Sequence, residues 1–124
     1  NHDPLALEIA ASESHPALVP GGGGAFSMDR QDGEVVVLVH EIGRSALKGI
    51  DLNHVATSVA EAVNRNFGLT LYDLVLLRPG TLPRTTSGKV QRFACREHYL
   101  AGQLASIAAI EHPALGRCRP GQNN

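Results

Sequence analysis

The 124-residue chain has no tryptophan, two cysteines and few aromatic residues, which make up 4% of the sequence. The cysteines, Cys95 and Cys118, form no C-x-x-C pair and therefore indicate neither a zinc site nor a disulfide framework. The six histidines are scattered without an H-x-x-x-H pair, and we expect no metal ligand among them. Two unpaired cysteines are typical of a reducing compartment, so the sequence predicts a cytoplasmic protein.

Long hydrophobic runs and a strong net charge are also missing. No stretch of about 18 consecutive apolar residues and no signal-peptide pattern is present, so no membrane span is predicted. The 11 basic and 12 acidic residues give a net charge of −1, which argues against a dedicated nucleic-acid binder. A composition of 43% hydrophobic and 19% charged residues predicts a folded globular domain. The chain opens with NHDP rather than Met, and we expect it to be part of a longer protein.

Two helices are predicted from capping residues and apolar periodicity. The first begins at Asp3 and Pro4, a cap followed by a proline at the first helical position, and ends before the His-Pro pair at 15–16. The second begins at Asp51 and ends at Gly68, with apolar residues at three- and four-residue spacing between them.

A third helix is predicted from about 87 or 88 to 104. Its apolar residues Phe93, Leu100 and Leu104 are expected to form its inner face. From about residue 106 the periodicity is lost, and we predict that 106–124 form a flexible C-terminal tail.

Three strands are predicted at 25–28, 34–41 and 74–77. The second contains VVVLV, which is apolar at every position and so predicts burial on both faces. The GGGG stretch at 21–24 predicts a loop, or a strand entry where backbones approach closely. Together these elements predict a small α+β domain over 1–105, with a three-stranded sheet, a possible short hairpin and about three helices.

The most distinctive stretch is LPRTTSGKVQR, residues 82–92. It lies in a region without acidic residues between Asp73 and Glu97. That region holds five of the eleven cations, namely Arg78, Arg84, Lys89, Arg92 and Arg96. The sequence therefore predicts a locally positive face with an anionic partner.

Two common functions of basic loops fit this stretch poorly. A phosphate-binding loop needs G-x-x-x-x-G-K-[ST], but seven residues separate Gly80 from Gly88, and Val90 replaces the hydroxyl. Single-stranded nucleic-acid binding needs interleaved aromatic residues. Only Phe93 and Tyr99 are near, and Phe93 fits the core side of its helix. We therefore predict no nucleic-acid partner.

Two hypotheses remain for Lys89. In the first, Ser87 caps the last helix and Lys89 and Arg92 are solvated cations in its first turn, where they oppose the helix dipole by a few tenths of a kcal/mol. Such a local conflict is expected at functional sites. In the second, the thin loop carries Lys89 into another protein's cleft, where its charge neutralises a carboxylate attacking a phosphate.

The stretch resembles the P-x-T-x-S-G-K-x-x-R motif of the acyl-adenylate-forming enzymes. The matching residues are Pro83, Thr85, Ser87, Gly88, Lys89 and Arg92. The opening NHDPLALEIAASESHPAL is similar to the segment after the inter-domain hinge of fatty acyl-AMP ligases. It agrees at Asn1, His2, Pro4, Glu8, His15, Pro16, Ala17 and Leu18. The stretch that begins at Arg78 resembles the end of the mycobacterial-type ligases in particular.

The resemblance implies that this chain is a mobile C-terminal lid, nearly inactive alone, whose N-terminal partner domain holds ATP, Mg²⁺ and the fatty acid. Lys89 would be the catalytic residue, contacting the carboxylate, the α-phosphate and the ribose oxygen of the forming adenylate. Arg84 and Arg92 could contact the nucleotide phosphates or an acidic carrier protein, while Ser87 and Gly88 would shape the loop. The lid would then rotate, and the acyl group would pass to the phosphopantetheine arm of an acyl carrier protein, often on a polyketide synthase.

Two alternatives remain at this point. One is an acyl-CoA synthetase of the same superfamily, which uses free CoA. The other is a non-catalytic module that docks an acidic carrier protein through the five cations. Glu8 is interpreted as an exposed helix residue rather than an ion-pair partner, and Cys95 as a semi-buried helix residue rather than a nucleophile.

Overall fold

The computed structural model describes residues 2–119. Asn1, which is part of the motif resemblance, and residues 120–124 of the predicted tail lie outside this range. This part of the chain contains three α-helices and three strands. They are α1 (Pro4–Glu13), β1 (Leu18–Arg30), β2 (Gly33–Ile42), α2 (Leu52–Phe67), β3 (Asp73–Leu77) and α3 (Arg92–Ala101). In the described part of the chain, no helix is both long and apolar enough to traverse a membrane.

The three strands form one mixed sheet in the order β1-β2-β3. Strands β1 and β2 are antiparallel and form a hairpin that closes at the Arg30–Gly33 pair. Strands β2 and β3 are parallel, and α2 provides the crossover that a parallel pair requires. The predicted α+β class is therefore confirmed.

The glycine stretch belongs to β1. Gly23 pairs with His40 of β2, and a Cβ at this glycine would lie 2.6 Å from His40 Cδ2. A side chain here would therefore displace the imidazole, which is fully buried. The glycine stretch is therefore part of a strand, and the group that approaches Gly23 closely is a side chain rather than another backbone.

Side chains of β2 alternate between two hydrophobic cores, one on each face of the sheet. Leu38 packs in the larger core with α1 and α2, whereas Val37 and Val39 pack in the smaller core with Cys95 of α3. This alternation follows from the two-residue period of a strand. The predicted burial of the VVVLV segment on both faces is confirmed.

The predicted bounds and inner face of the last helix are wrong. The helix begins at Arg92, because the preceding residues up to Val90 are held in a bridge with Arg84. Phe93 and Leu100 are 72% and 55% exposed, respectively, and the side chain that α3 buries is Cys95. The third predicted inner residue, Leu104, packs partly against the smaller core from beyond the end of the helix.

Residues 106–119 differ from the flexible tail expected from the loss of periodicity. Ile110 and Leu115 are buried in the larger core. The Arg117 guanidinium lies 2.6 Å from the Asp73 carboxylate, which also accepts the Tyr99 hydroxyl at 2.7 Å. The segment therefore packs against β3 and the residues before it through side chains and backbone hydrogen bonds, although it contains no regular helix or strand beyond one short 3₁₀ turn.

Candidate functional site

The segment 82–92 forms a tight hairpin rather than a mobile loop or a helix start. Arg84 and Val90 form an antiparallel bridge, and the Thr85 N–H donates to the Lys89 carbonyl at 2.8 Å. The Gly88 N–H donates back to the Thr85 carbonyl at 2.9 Å, and Gly88 has a φ of +90°. A residue with a side chain is strained at this φ, so the turn requires glycine here.

Hydroxyl groups stabilise the tip of the hairpin. Thr85 Oγ1 accepts the Lys89 N–H at 3.1 Å and lies 3.0 Å from Ser87 Oγ. Ser87 does not cap α3, because the residue at the cap position is Gln91. In the described part of the chain, Ser87 and Gly88 contribute to the shape of this turn.

Lys89 lies on the exposed side of the hairpin. None of the ion pairs among residues 2–119 involves it. It borders an open groove of about 450 Å³ between the hairpin, α1 and the glycine stretch. The groove is lined by Leu5, Glu8, Ile9, Ser12, Gly21, Gly23, Lys89, Val90 and Arg92. An ammonium group at this rim can approach a ligand held by another domain.

Arg92 forms a bidentate ion pair with Glu8 of α1. Arg92 Nε donates to Glu8 Oε2 at 2.7 Å, and Nη2 donates to Oε1 at 2.8 Å. This hydrogen-bonded carboxylate raises the pKa of the arginine. The interpretation of Glu8 as an exposed residue is wrong, since it is 7% exposed. Glu8 lies three residues before Ala11, which is buried, so the two side chains are on the same face of α1. This spacing was the sequence signal that Glu8 is buried.

Arg84 is also directed toward the domain itself. Its guanidinium donates to the Gly88 carbonyl at 3.3 Å and to the Gly21 carbonyl at 3.1 Å. Its Nη2 lies 3.9 Å from a carboxylate oxygen of the buried Glu41. Arg84 therefore connects the hairpin to β1 and β2, and Lys89 is the motif cation that faces outward.

The ion pairs weaken the hypothesis of a basic docking surface. Three of the five cations proposed for it are paired with carboxylates, and the third pair joins Arg96 to Glu97 at 3.1 Å. Neutralised guanidinium groups contribute little to a long-range positive field. The charge that the sequence places on this face is therefore largely compensated within the domain.

Cys95 is fully buried against the sheet, and Cys118 is half-buried. Burial, with the nearby Glu8 carboxylate, raises the pKa of the Cys95 thiol to about 11. At pH 8 only about one Cys95 in a thousand would be a thiolate, the reactive form.

We expect iodoacetamide to label Cys118 in the native protein and Cys95 only after unfolding, as measured by peptide mass spectrometry. Equal labelling of both in the folded state would contradict the burial of Cys95.

Among residues 2–119, no group of three His, Cys, Asp or Glu side chains could hold a metal ion. Lys89 is the exposed cation at the rim of the groove.

The geometry and the comparisons agree on the class of protein. No family model matches the chain. The fold matches the fatty acid AMP ligase of Legionella pneumophila with a TM-score of 0.69 at 25% identity, covering 85% of this chain and 18% of that one. It also matches the McyG A-PCP structure with a TM-score of 0.73 at 18% identity, covering 82% of this chain and 18% of that one. The α+β unit therefore has the fold of the C-terminal domains of adenylate-forming enzymes.

Sequence relatives narrow this class. The chain is 38% identical over 104 residues to the medium-chain-fatty-acid–[acyl-carrier-protein] ligase JamA of Moorena producens, which covers 84% of the chain. It is 34% identical over 126 residues to the long-chain-fatty-acid–AMP ligase FadD32 of Mycobacterium marinum, which covers 86% of the chain. The chain spans 18% and 20% of the lengths of these two relatives. It belongs to the family of fatty-acid AMP and CoA ligases, as the motif resemblance predicted.

Proposed function

We propose that the chain is the C-terminal lid domain of a ligase that activates a fatty acid with ATP to an acyl-adenylate. The observation that carries the proposal is Lys89, an outward-facing cation on a hydrogen-bonded hairpin. The lid comprises at least residues 2–119, since the segment after residue 105 packs in the same core. The two free cysteines support a reducing compartment, and we propose the cytoplasm.

The chemistry requires a positive charge at the reacting phosphate. A fatty-acid carboxylate attacks the α-phosphate of ATP, forming the acyl–phosphate bond and releasing pyrophosphate. Both reactants are anions, so a preorganised ammonium group that touches both stabilises the transition state. Magnesium would neutralise the other phosphates when bound, and its ligands would come from the N-terminal domain. Lys89 acts only when the lid closes, so adenylation waits for a complete site.

Release of pyrophosphate tests the activity directly. The complete protein that carries this chain is expected to release pyrophosphate from ATP only when a fatty acid is supplied. Decanoate and palmitate are suitable probes of medium and long chains, and decanol, which lacks the carboxylate, is the matched control. Fatty-acid-independent release, or none with either acid, would overturn the proposed function.

We propose that the acyl group then passes to the phosphopantetheine arm of an acyl carrier protein. The similarity to JamA, an acyl-carrier-protein ligase that is 38% identical to this chain over 104 residues, supports this acceptor. A second candidate is CoA, because a Mycobacterium bovis relative named as a putative fatty-acid–CoA ligase is 36% identical over 111 residues.

The two acceptors can be compared in one assay. With acyl-adenylate pre-formed on the complete protein, we expect faster transfer to a phosphopantetheine-bearing carrier protein than to CoA at equal concentration. Mass spectrometry of the carrier protein and chromatography of acyl-CoA measure the two products. The same carrier protein without its arm should receive nothing. Faster formation of acyl-CoA would assign the chain to a CoA ligase instead.

A further inference from the structure

Two buried carboxylates lie beneath the two ends of segment 82–92. Glu8 comes from α1 and Glu41 from β2, and they are 7% and 4% exposed, respectively. Burial of a carboxylate is unfavourable unless it is paired and hydrogen-bonded. The hydrogen-bond and ion-pair partners of the two carboxylates therefore indicate their structural role.

Glu41 holds the first end of the segment. Its Oε2 accepts the buried backbone N–H of Leu82 at 2.8 Å, and its Oε1 lies 3.9 Å from Arg84 Nη2. Because β2 is the central strand of the sheet, Glu41 fixes the entry to the hairpin relative to the middle of the sheet.

Glu8 holds the second end. Its two oxygens accept Arg92 Nε and Nη2, and Oε2 also accepts the Ala25 N–H at 2.8 Å. A bidentate pair fixes orientation as well as distance. Arg92 follows Lys89 by three residues, so this pair restrains the returning strand of the hairpin against both α1 and β1.

We propose that Glu8 and Glu41 are positioning residues that hold the hairpin so that Lys89 reaches the reacting phosphate in a defined place. This inference rests on the proposed function. A lysine delivered by a moving domain is effective only if its own loop is rigid, since a displacement of about 1 Å can lower a rate about a hundredfold. Two carboxylates from separate elements, one at each end, provide that rigidity.

Glu8→Gln in the complete protein tests the proposal, with Glu13→Gln as the matched control on the exposed face of the same helix. Glutamine can still accept the Ala25 N–H but loses the charge that pairs with Arg92. We expect Glu8→Gln to lower kcat for adenylate formation about ten- to a hundredfold, with little change in the KM for ATP. Transfer from pre-formed acyl-adenylate should be unaffected. Glu41→Gln should act in the same direction.

A double-mutant cycle separates positioning from general destabilisation. If Glu8 acts through Lys89, Glu8→Gln should cause no further loss of adenylation in a Lys89→Ala background. Additive losses would overturn the proposal, as would a Glu8→Gln rate equal to that of Glu13→Gln. Should Glu8→Gln fail to fold, Arg92→Lys gives the same test, because it keeps the charge but loses the bidentate geometry. If Lys89→Ala itself adenylates normally, it is the role of Lys89 within the proposed function that fails, whereas loss of fatty-acid-dependent pyrophosphate release from the unaltered protein would overturn the function itself.

Discussion

Lys89→Ala in the complete protein is expected to slow adenylate formation about a hundred- to a thousandfold, the effect of losing one preorganised charge at a reacting group. This corresponds to about 2.7–4.1 kcal/mol of transition-state stabilisation. The loss should be in kcat, because in the proposed function ATP and the fatty acid are bound by the other domain. Stability should change little, since Lys89 is exposed and takes part in no ion pair among residues 2–119.

The chain provides a matched control for this substitution. Lys48 is the only other lysine in the sequence and is also exposed, so Lys48→Ala should leave adenylation unchanged. Single-turnover formation of acyl-adenylate measures the first step, and transfer from pre-formed acyl-adenylate measures the second, which should survive. If Lys89→Ala matched Lys48→Ala in adenylation, Lys89 would have no part in the chemistry and the docking module would become the better hypothesis.

Lys89→Arg refines the same experiment. The guanidinium keeps the positive charge but is planar, larger and differently hydrated. We expect it to restore only part of the adenylation rate, because the site needs a compact charge in one position. Full restoration would mean that the charge alone, without its geometry, accounts for the contribution of Lys89.

Sequence patterns were sufficient for the elements whose signals are local. The bounds of α2 follow from the Asp51 cap, whose side chain accepts the His54 N–H, and from Gly68 in the left-handed conformation. The family membership was predictable because the motif around Lys89 is contiguous in the sequence, whereas the catalytic role of Lys89 stays a prediction. Neither the helix bounds nor the motif required knowledge of which distant residues meet.

The supporting side chains of the site could not be predicted in this way. Glu8 and Arg92 are 84 residues apart in the chain, and their contact depends on how α1 and α3 pack on the same sheet. Arg92 therefore looked like a ligand for phosphate, although its guanidinium is bound to a carboxylate of its own domain. The start of α3 was misplaced for a related reason, since the bridge between Arg84 and Val90 that holds residues 84–90 in a hairpin is not visible in the local pattern.

Leu100 and Leu115 test the limits of local sequence patterns, because the burial of each side chain is the opposite of the prediction. Leu100 was assigned to the inner face of a helix and is 55% exposed; Leu115 was assigned to a tail and is fully buried. We expect Leu115→Ala to lower the free energy of unfolding by about 2–5 kcal/mol, the usual cost of a cavity in a core. Leu100→Ala should change it by no more than about 0.5 kcal/mol.

Urea unfolding of the two variants beside the unaltered chain measures this difference. Both substitutions remove the same atoms, so a difference in stability between them must come from the surroundings of each leucine. The last segment lacks helical or strand periodicity because it packs through isolated side chains and backbone hydrogen bonds, such as that from the Ile107 N–H to the Leu76 carbonyl at 2.9 Å. Periodicity reports regular secondary structure, whereas burial depends on tertiary contacts. A stable Leu115→Ala variant would mean that residues 106–119 are dispensable and that the lid ends near residue 105.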